Sequence, residues 1–222
     1  MFNHDLVYTN DFETTSVNGK RHYLVEGKKY PSVTTVLDYC SDKTALIKWK
    51  KRVGEKEAER ISSVARNRGT AMHTLCERFV LNETQDFKDE MPTTVMMYKQ
   101  IQRVLEKNLT TVRCVEQCLY SHSLKIAGRV DLIGDYNGEP CIIDFKTSSK
   151  LKKKEYITNY FQQASLYSHM FWEMSGIATK KIVILIAVES ENDAQIFIED
   201  TKDHIKPSVS MVRHYHNIHQ NL

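Results

Sequence analysis

Two short apolar runs joined by an Asn-Gly pair constrain the fold of this chain more than any other feature. The runs cover residues 126–133 and 141–146, and Asn137 and Gly138 lie between them. Both residues of an Asn-Gly pair adopt positive φ readily, which the tightest turns between antiparallel strands require. The sequence therefore predicts a β-hairpin here.

The predicted hairpin gathers three ionisable side chains. Asp131 lies in the first run and Asp144 in the second, so strand pairing would bring both carboxylates within reach of one cation. Successive side chains of a strand point to opposite faces, so Asp144 and Lys146 share one face while Phe145 points to the other. We expect two carboxylates and one ammonium in a common pocket.

These residue types suit the hydrolysis of a phosphodiester bond. Carboxylate oxygens bind hard cations such as Mg²⁺ or Mn²⁺, which keep coordination positions for water and a substrate phosphate. Such an ion polarises the phosphoryl oxygen and eases the deprotonation of bound water, while a neighbouring lysine can orient that water. Lys146 is the candidate for this role. The alternative is an ordinary exposed hairpin, because short Asp-x-Lys triplets are common.

Four motifs in a fixed order carry a family resemblance. Gly128-Arg-Val-Asp131 and Ile142-Ile-Asp144-Phe-Lys146-Thr147 resemble motifs II and III of the PD-(D/E)XK nuclease superfamily, in its RecB-like branch. Upstream, residues 68–77 are similar to the helical motif of that branch. Downstream, Gln163-Ala-Ser-Leu-Tyr167 is similar to its Gln-x-x-x-Tyr motif. The motif order and compact size resemble the exonucleases related to the mitochondrial genome maintenance exonuclease, a group with phage members.

The resemblance implies an α/β fold with a restriction-endonuclease-like core, in which helices flank a mixed central sheet, and an N-terminal helical flank. We expect a single nuclease domain over residues 1–222. Its N-terminal strands and helical flank would occupy residues 1–60, its catalytic core residues 61–200 and its C-terminal helix residues 201–222.

The resemblance also implies a metal-dependent deoxyribonuclease, an exonuclease on single-stranded DNA ends in replication, repair or recombination. A helicase, a recombinase or a single-strand-binding protein is the expected partner. One alternative is a structure-selective or sequence-specific endonuclease with the same site, and another is a catalytically inactive DNA-binding protein. Digestion polarity, the choice between DNA and RNA, and oligomeric state are left open by the sequence.

A histidine supplies a third metal ligand in the helical motif of these relatives. The candidate ligands are therefore His73, Asp131, Asp144 and the main-chain carbonyl of Phe145. An imidazole beside two carboxylates favours Mn²⁺ without excluding Mg²⁺. Some relatives hold an iron–sulfur cluster through cysteines beyond the Gln-x-x-x-Tyr helix. No such cluster is expected here, because no cysteine follows Cys141.

The helical motif can also be interpreted from its residues alone. Thr70 is a candidate N-cap for a helix that carries His73 and Glu77, which are four apart and so share one face. The alternatives are a histidine hydrogen-bonded at a helix start and a glutamate that is solvated or paired with Arg68 or Arg78.

Gln163 and Tyr167 are likewise four residues apart in a strongly helical stretch. Tyr167 suits core packing, whereas a buried Gln163 must find partners for its amide group. The resemblance implies that both residues help to position nucleic acid and the catalytic lysine.

Two further features carry less weight. Glu116 precedes Asp131 on a predicted strand, where some members of the superfamily carry an auxiliary acid, but an exposed strand residue is an equal alternative. The histidines near the C-terminus lack a ligand spacing typical of a metal site, so we expect a solvated helix end. They are His214, His216 and His219.

The net charge of the whole chain does not indicate a nucleic-acid binder, but two local clusters of basic residues are informative. The formal net charge is +3, and 41% hydrophobic residues in 222 indicate one sizeable core. Two basic clusters stand out, one at Lys48, Lys50, Lys51 and Arg52 and one at Lys150, Lys152, Lys153 and Lys154. The second cluster directly follows the predicted catalytic strand, so we expect it to contact DNA phosphates. The sequence does not decide between contact and solvation for the first.

Cysteine usage indicates a reducing compartment. The five cysteines include no Cys-x-x-Cys pair, no apolar run of about 18 residues occurs, and the first residues lack a signal-peptide pattern. We expect a soluble protein without a membrane association, in the cytoplasm of a bacterium or of a phage-infected cell, or in the mitochondrion.

The periodicity predicts a helix, three strands, a helix and further strands. Strands are predicted at residues 6–9, 22–25, 112–121, 125–135, 140–147, 181–188 and 194–198. Helices are predicted within residues 32–82, with breaks near Gly54 and Gly69, and at residues 94–107, around Gln163 and at 207–217.

Overall fold

The computed structural model describes residues 1–7 and 11–219. The strands of the described chain are β1 (Asn3–His4), β2 (Thr14–Val17), β3 (Lys20–Val25), β4 (Lys28–Pro31), β5 (Leu109–Ser121), β6 (Ile126–Tyr136), β7 (Glu139–Ser148), β8 (Lys181–Val188) and β9 (Gln195–Asp200). Its α-helices are α1 (Val33–Cys40), α2 (Thr44–Val53), α3 (Glu55–Val80), α4 (Pro92–Asn108), α5 (Thr158–Ser175) and α6 (Thr201–His219).

The main sheet has six strands in the order β1-β5-β6-β7-β8-β9. β5, β6 and β7 are antiparallel neighbours, whereas β7 and β8 are parallel and are connected by α5. A parallel pair needs such a crossover because the chain must return to the same edge of the sheet. The small second sheet contains β2, β3 and β4.

Strand β8 shows how helices cover both faces of the main sheet. Its even-numbered residues, such as Ile182 and Ile184, belong to a core shared with α1, α5 and α6. Its odd-numbered residues, such as Val183 and Leu185, belong to a core shared with α3 and α4. This is the mixed sheet between helical layers that the sequence predicted.

The predicted hairpin is confirmed. Asn137 and Gly138 have φ values of 53° and 83°, and Tyr136 pairs with Glu139 across the turn. The predicted helix break at Gly54 is also confirmed, since this residue has a φ of 85° between α2 and α3.

The predicted break at Gly69 is wrong, because α3 runs from Glu55 to Val80 without interruption. Thr70 is therefore an exposed residue inside this helix and not its N-cap. The buried residues Met72 and Leu75 hold this part of α3 against the sheet. Tertiary packing outweighs the low helix propensity of a single glycine here.

Two other element boundaries differ from the prediction. The N-terminal strand is Asn3–His4, and residues 6 and 7 of the strand predicted at 6–9 lie outside it, because Phe2 packs edge-on against Phe79 and anchors the chain earlier. Residues 8 and 9 of that predicted strand lie outside the described part of the chain. Helix α6 begins at Thr201 and contains Pro207, since Thr201 bonds to the backbone of residues 179 and 180 immediately after β9.

Cys114 and Cys118 are buried in β5, as predicted for cysteines that fill apolar space. None of the helices in the described ranges combines the length and the apolar character needed to cross a bilayer.

Two glycine substitutions test this packing. At Gly134 an added Cβ would lie 2.6 Å from the Thr111 carbonyl oxygen, whereas at Gly69 its nearest neighbour is Thr147 Oγ1 at 3.8 Å. We expect Gly134→Ala to lower the free energy of unfolding by about 1–3 kcal/mol through overpacking. Gly69→Ala should raise it by about 0.5–1 kcal/mol, because alanine favours a helix. Urea denaturation measures both, and equal effects of the two variants would contradict the described packing.

Candidate metal centre

Three side chains from three different elements converge beside the hairpin. Atoms of His73 on α3, Glu116 on β5 and Asp131 on β6 lie within 4.8 Å of one another. His73 Nδ1 is 3.6 Å from Asp131 Oδ1 and 3.8 Å from Glu116 Oε1. Among the described residues this is the one group of three or more such side chains close enough to share an ion.

An irregularity in β5 and β6 brings the two carboxylates together. Val130 and Ile133 contact the same core although they are three residues apart, and so do Cys114 and Leu119, five apart. In a regular strand, residues that face the same core are an even number of positions apart. Both of these spacings are odd, so each strand departs once from the regular alternation of side chains between the two faces of the sheet.

The irregularity is centred on Glu116. This residue lies between the pairs Val115–Leu132 and Gln117–Val130, opposite Asp131. Its φ is 46°, in the left-handed region that side chains other than glycine adopt rarely, at a cost of about 1–3 kcal/mol. The sequence alone gives Glu116 little weight, because an exposed strand residue is an equal alternative and no local pattern indicates this conformation.

His73 is oriented by a hydrogen bond to strand β7. Its Nε2 donates to the carbonyl oxygen of Phe145 at 2.9 Å, which leaves Nδ1 facing Asp131 and Glu116. Metal-binding histidines commonly donate their second ring N–H to a carbonyl in this way. The Phe145 carbonyl, predicted as a ligand, accepts this bond in the structure, and its role as a ligand stays a prediction.

The charges around His73 favour a cation. Burial alone would lower the pKa of His73, but the nearby carboxylates of Asp131, Glu116 and Asp144 together outweigh it and raise that pKa. A proton on the imidazole and a metal ion beside it are stabilised by the same carboxylates. The donor set therefore fits a divalent ion.

Asp131 links the hairpin strands where their pairing stops. The register of β6 and β7 runs from Tyr136–Glu139 to Leu132–Ile143. Beyond Ile143, the Asp131 carboxylate accepts a hydrogen bond from the Phe145 N–H at 2.8 Å. The pairing thus places Asp131 against the strand that carries Asp144, as the sequence predicted.

Asp144 and Lys146 form a buried pair on one face of β7. Asp144 is 1% exposed, its Oδ2 forms an ion pair with Lys146 Nζ, and its Oδ1 has no hydrogen-bond partner among the described residues. Burial raises the pKa of Asp144 to about 6, although Lys146 opposes the shift. Burial would lower the pKa of Lys146, but Asp144 and Asp131 raise it. The ion pair with Lys146 leaves the buried Oδ1 without a donor, so this oxygen is available to a positively charged ligand.

Tyr160 is a site residue that sequence analysis missed. Lys146 Nζ lies 5.2 Å from the centre of the Tyr160 ring, in a cation–π arrangement. Tyr160 precedes Gln163 by three residues and Tyr167 by seven, so all three lie on one face of α5. That spacing was visible in the sequence, but the contact with Lys146 depends on how α5 crosses β7.

The Gln163–Tyr167 pair supports the strand that carries Asp131. Gln163 Nε2 donates to Tyr167 Oη at 3.3 Å, and Tyr167 is buried against Gly128. An added Cβ at Gly128 would lie 2.8 Å from the Tyr167 ring. The absence of a side chain at Gly128, the first residue of the Gly128-Arg-Val-Asp131 motif, therefore leaves room for Tyr167 of the Gln-x-x-x-Tyr motif.

Glu77 lines a cavity of about 330 Å³ together with His73 and Glu116. Burial, and then the charge of Glu116, raises the pKa of Glu77. Arg68, considered as a partner of Glu77, instead pairs with Glu189 at 2.6 Å.

The two basic clusters are both exposed. In the loop after β7, Lys154 pairs with Glu199 at 2.6 Å, so the residues of this cluster directed to solvent are Lys150, Lys152 and Lys153. The other cluster lies on α2, in which no residue is buried.

Comparison with a family model identifies the superfamily of this chain. The model of the PD-(D/E)XK nuclease superfamily matches residues 83–208, more than half of the 222 residues. The chain belongs to this superfamily. The match includes Glu116, Asp131 and the Asp144–Lys146 strand. His73 lies outside it, so the assignment of His73 to the site rests on the geometry above and on the predicted motif.

Curated relatives agree with this family. Human mitochondrial genome maintenance exonuclease 1 is 30% identical over 130 residues, and its counterpart from Xenopus tropicalis is 27% identical over 148 residues. These matches cover 55% and 64% of this chain, but only 38% and 42% of the two relatives. The chain thus matches less than half the length of either protein.

Solved structures show weaker similarity. A candidate exonuclease from Eubacterium rectale superposes with a TM-score of 0.45 at 12% identity, over 65% of this chain and 63% of its own. The structure of SSO0001 gives a TM-score of 0.40 at 15% identity, over 82% and 71%.

A metal titration tests the place of His73 in the centre. We expect His73→Ala to bind Mn²⁺ at least about tenfold more weakly, because an ion ligand is lost, and to require correspondingly more Mn²⁺ for activity. Calorimetric titration measures the affinity, and His214→Ala, which changes an exposed histidine, is the matched control. A Mn²⁺ titration of His73→Ala identical to that of the parent would make His73 purely structural.

Proposed function

We propose that the chain is a Mg²⁺- or Mn²⁺-dependent deoxyribonuclease that removes nucleotides from the ends of single-stranded DNA. The observation that carries the proposal is the group of His73, Glu116 and Asp131, whose ligand atoms lie within 4.8 Å of one another, with the buried Asp144–Lys146 ion pair on the neighbouring strand β7. Membership of the PD-(D/E)XK superfamily supports the same chemistry.

Each residue has a distinct part in this proposal. Asp131, Asp144 and His73 hold the ion, and Glu116 is an additional ligand or a base for water. When bound, a divalent ion would stabilise the negative charge that develops on the phosphoryl group. Lys146 keeps its proton beside Asp144, so it acts as a donor that orients water or a phosphate oxygen. Tyr160 holds the ammonium from its other side.

Two observations support the proposed preference for DNA ends: the names of the relatives and the positive charge of the loop after β7. Both reported relatives are named exonucleases, although the chain matches less than half of each. The exposed lysines after β7 begin four residues beyond Lys146, so a strand at the metal centre passes close to them. Three such cations would hold phosphates without reading base sequence.

Substitution of the carboxylates tests the chemistry. We expect Asp131→Asn and Asp144→Asn to abolish metal-dependent cleavage of an end-labelled single strand, because each change removes a charged ligand while keeping its size. Circular dichroism should show a retained fold. Asp89→Asn, at an exposed position, is the control. Substantial cleavage by either site variant at ordinary metal concentration would contradict the site assignment.

A closed circle of single-stranded DNA separates exonuclease from endonuclease action. We expect the parent protein to degrade the linear form and to leave the circle intact, since a circle offers no end. Gel analysis of both forms with Mg²⁺ and with Mn²⁺ measures this. Cleavage of the circle at a comparable rate would replace the exonuclease with an endonuclease at the same centre.

The salt dependence of DNA binding tests whether the lysines in the loop after β7 contact phosphates. Changing Lys150, Lys152 and Lys153 to glutamine should reduce the slope of log affinity against log salt by about 2, at about 0.7 per lost phosphate contact. Lys154→Gln should change the slope little, because Lys154 already pairs with Glu199. If the triple variant keeps the parent slope, the loop does not contact DNA, and the basic cluster on α2 becomes the candidate DNA contact.

A further inference from the structure

A second cavity lies away from the metal centre, where the small sheet meets the end of α6. It has a volume of about 440 Å³, and we call it the distal cavity. Its basic lining residues are Lys20, Lys29, Lys125, His22, His216 and His219. No Asp or Glu of residues 1–7 and 11–219 lines it. Such a concentration of one charge in a concave site attracts anions.

The histidines of the distal cavity differ from the predicted solvated helix end. His216 donates Nε2–H to the Leu124 carbonyl at 2.9 Å, and His219 donates Nδ1–H to the Tyr215 carbonyl at 2.8 Å. His219 also stacks on the Tyr215 ring at 4.1 Å. Both rings are half-buried and fixed, whereas His214 is exposed as expected.

Fixed aromatic and basic groups make the distal cavity a preformed site. Lys20 Nζ lies 4.9 Å from the centre of the Tyr39 ring and 5.9 Å from that of Tyr215. Burial lowers the pKa of His216, and the nearby positive charges of Lys125 and His219 add to this effect. The positive charge of the cavity therefore comes from Lys20, Lys29 and Lys125, and no carboxylate of the described residues lines the cavity to neutralise it.

A series of contacts leads from the distal cavity towards the metal centre. Arg21, between Lys20 and His22, donates to Thr34 Oγ1 at 3.2 Å. Thr34 lines a small cavity of about 170 Å³ together with Gln163. Gln163 shares a face of α5 with Tyr160, which contacts the catalytic lysine. Lys125 directly precedes β6 and Asp131 follows six residues later, at most about 20 Å away at about 3.3 Å per residue.

We infer that the distal cavity binds a phosphate group of the same DNA strand, several nucleotides from the bond that is cut. This inference rests on the proposed function, because it assigns the anion to the substrate. At about 3.4 Å per phosphate in a stacked strand, about six nucleotides span the distance. A short strand would occupy only the metal centre, and a longer one both sites.

Binding to the full chain tests the inference. The variant changes Lys20, Lys29 and Lys125 to glutamine, and the matched control changes the exposed Lys88, Lys180 and Lys202, with an equal change in net charge. The probes are inorganic phosphate, a deoxynucleoside 5′-monophosphate, a trinucleotide, and a strand of about twelve nucleotides, twice the estimated span. The readouts are the ring-proton NMR signals of the cavity histidines and the salt slope of binding.

We expect phosphate and the long strand to shift the signals of the cavity histidines in the parent and in the control, but not in the variant. The variant should bind the long strand with a salt slope smaller by about 0.7, because one phosphate contact is lost. Its cleavage of the trinucleotide should be unchanged.

Two results would overturn the inference. In the first, phosphate or the mononucleotide shifts the histidine signals while the long strand keeps its affinity and slope in the variant, so the cavity binds a free anion. In the second, no probe shifts the signals. Neither result affects the proposed function, which instead fails if the parent does not cleave any strand with metal present.

Discussion

The electrostatic balance around the Asp131 and Asp144 carboxylates determines how the centre is built. The buried Asp144 carboxylate has one oxygen without a hydrogen-bond donor, and Glu116 adds a third acid at a strained backbone position. Isolated negative charges in an apolar interior are unstable, so they need compensation. The protein supplies part of it through Lys146 and His73, and the remaining negative charge favours a divalent cation.

Three supports in the fold position the residues of this centre. Helix α3 presents His73, the hairpin presents both aspartates, and α5 presents a face of Tyr160, Gln163 and Tyr167. The hydrogen bond from His73 to Phe145 and the bond from Phe145 to Asp131 join two of these supports through a single residue. The close contact of Tyr167 with Gly128 fixes the third against the same strand.

The sequence predicted the parts of this centre that depend on local rules. Asn137-Gly138 specifies its turn and the two-residue period places Asp144 beside Lys146, so neither needed tertiary information. Glu116 could not be placed, because its direction depends on a change of face shared by two strands. The N-cap predicted at Thr70 failed for a related reason, since buried contacts extend α3 through a position where the local signal indicates a helix start.

A crystal structure grown with Mn²⁺ tests the central claim most directly, because the anomalous signal of manganese locates the ion without assumptions about activity. The account predicts an anomalous peak in bonding distance of the carboxylates of Asp131 and Asp144, with the His73 ring beside it. An absence of manganese at these residues, or a peak only at other surface carboxylates, would contradict it.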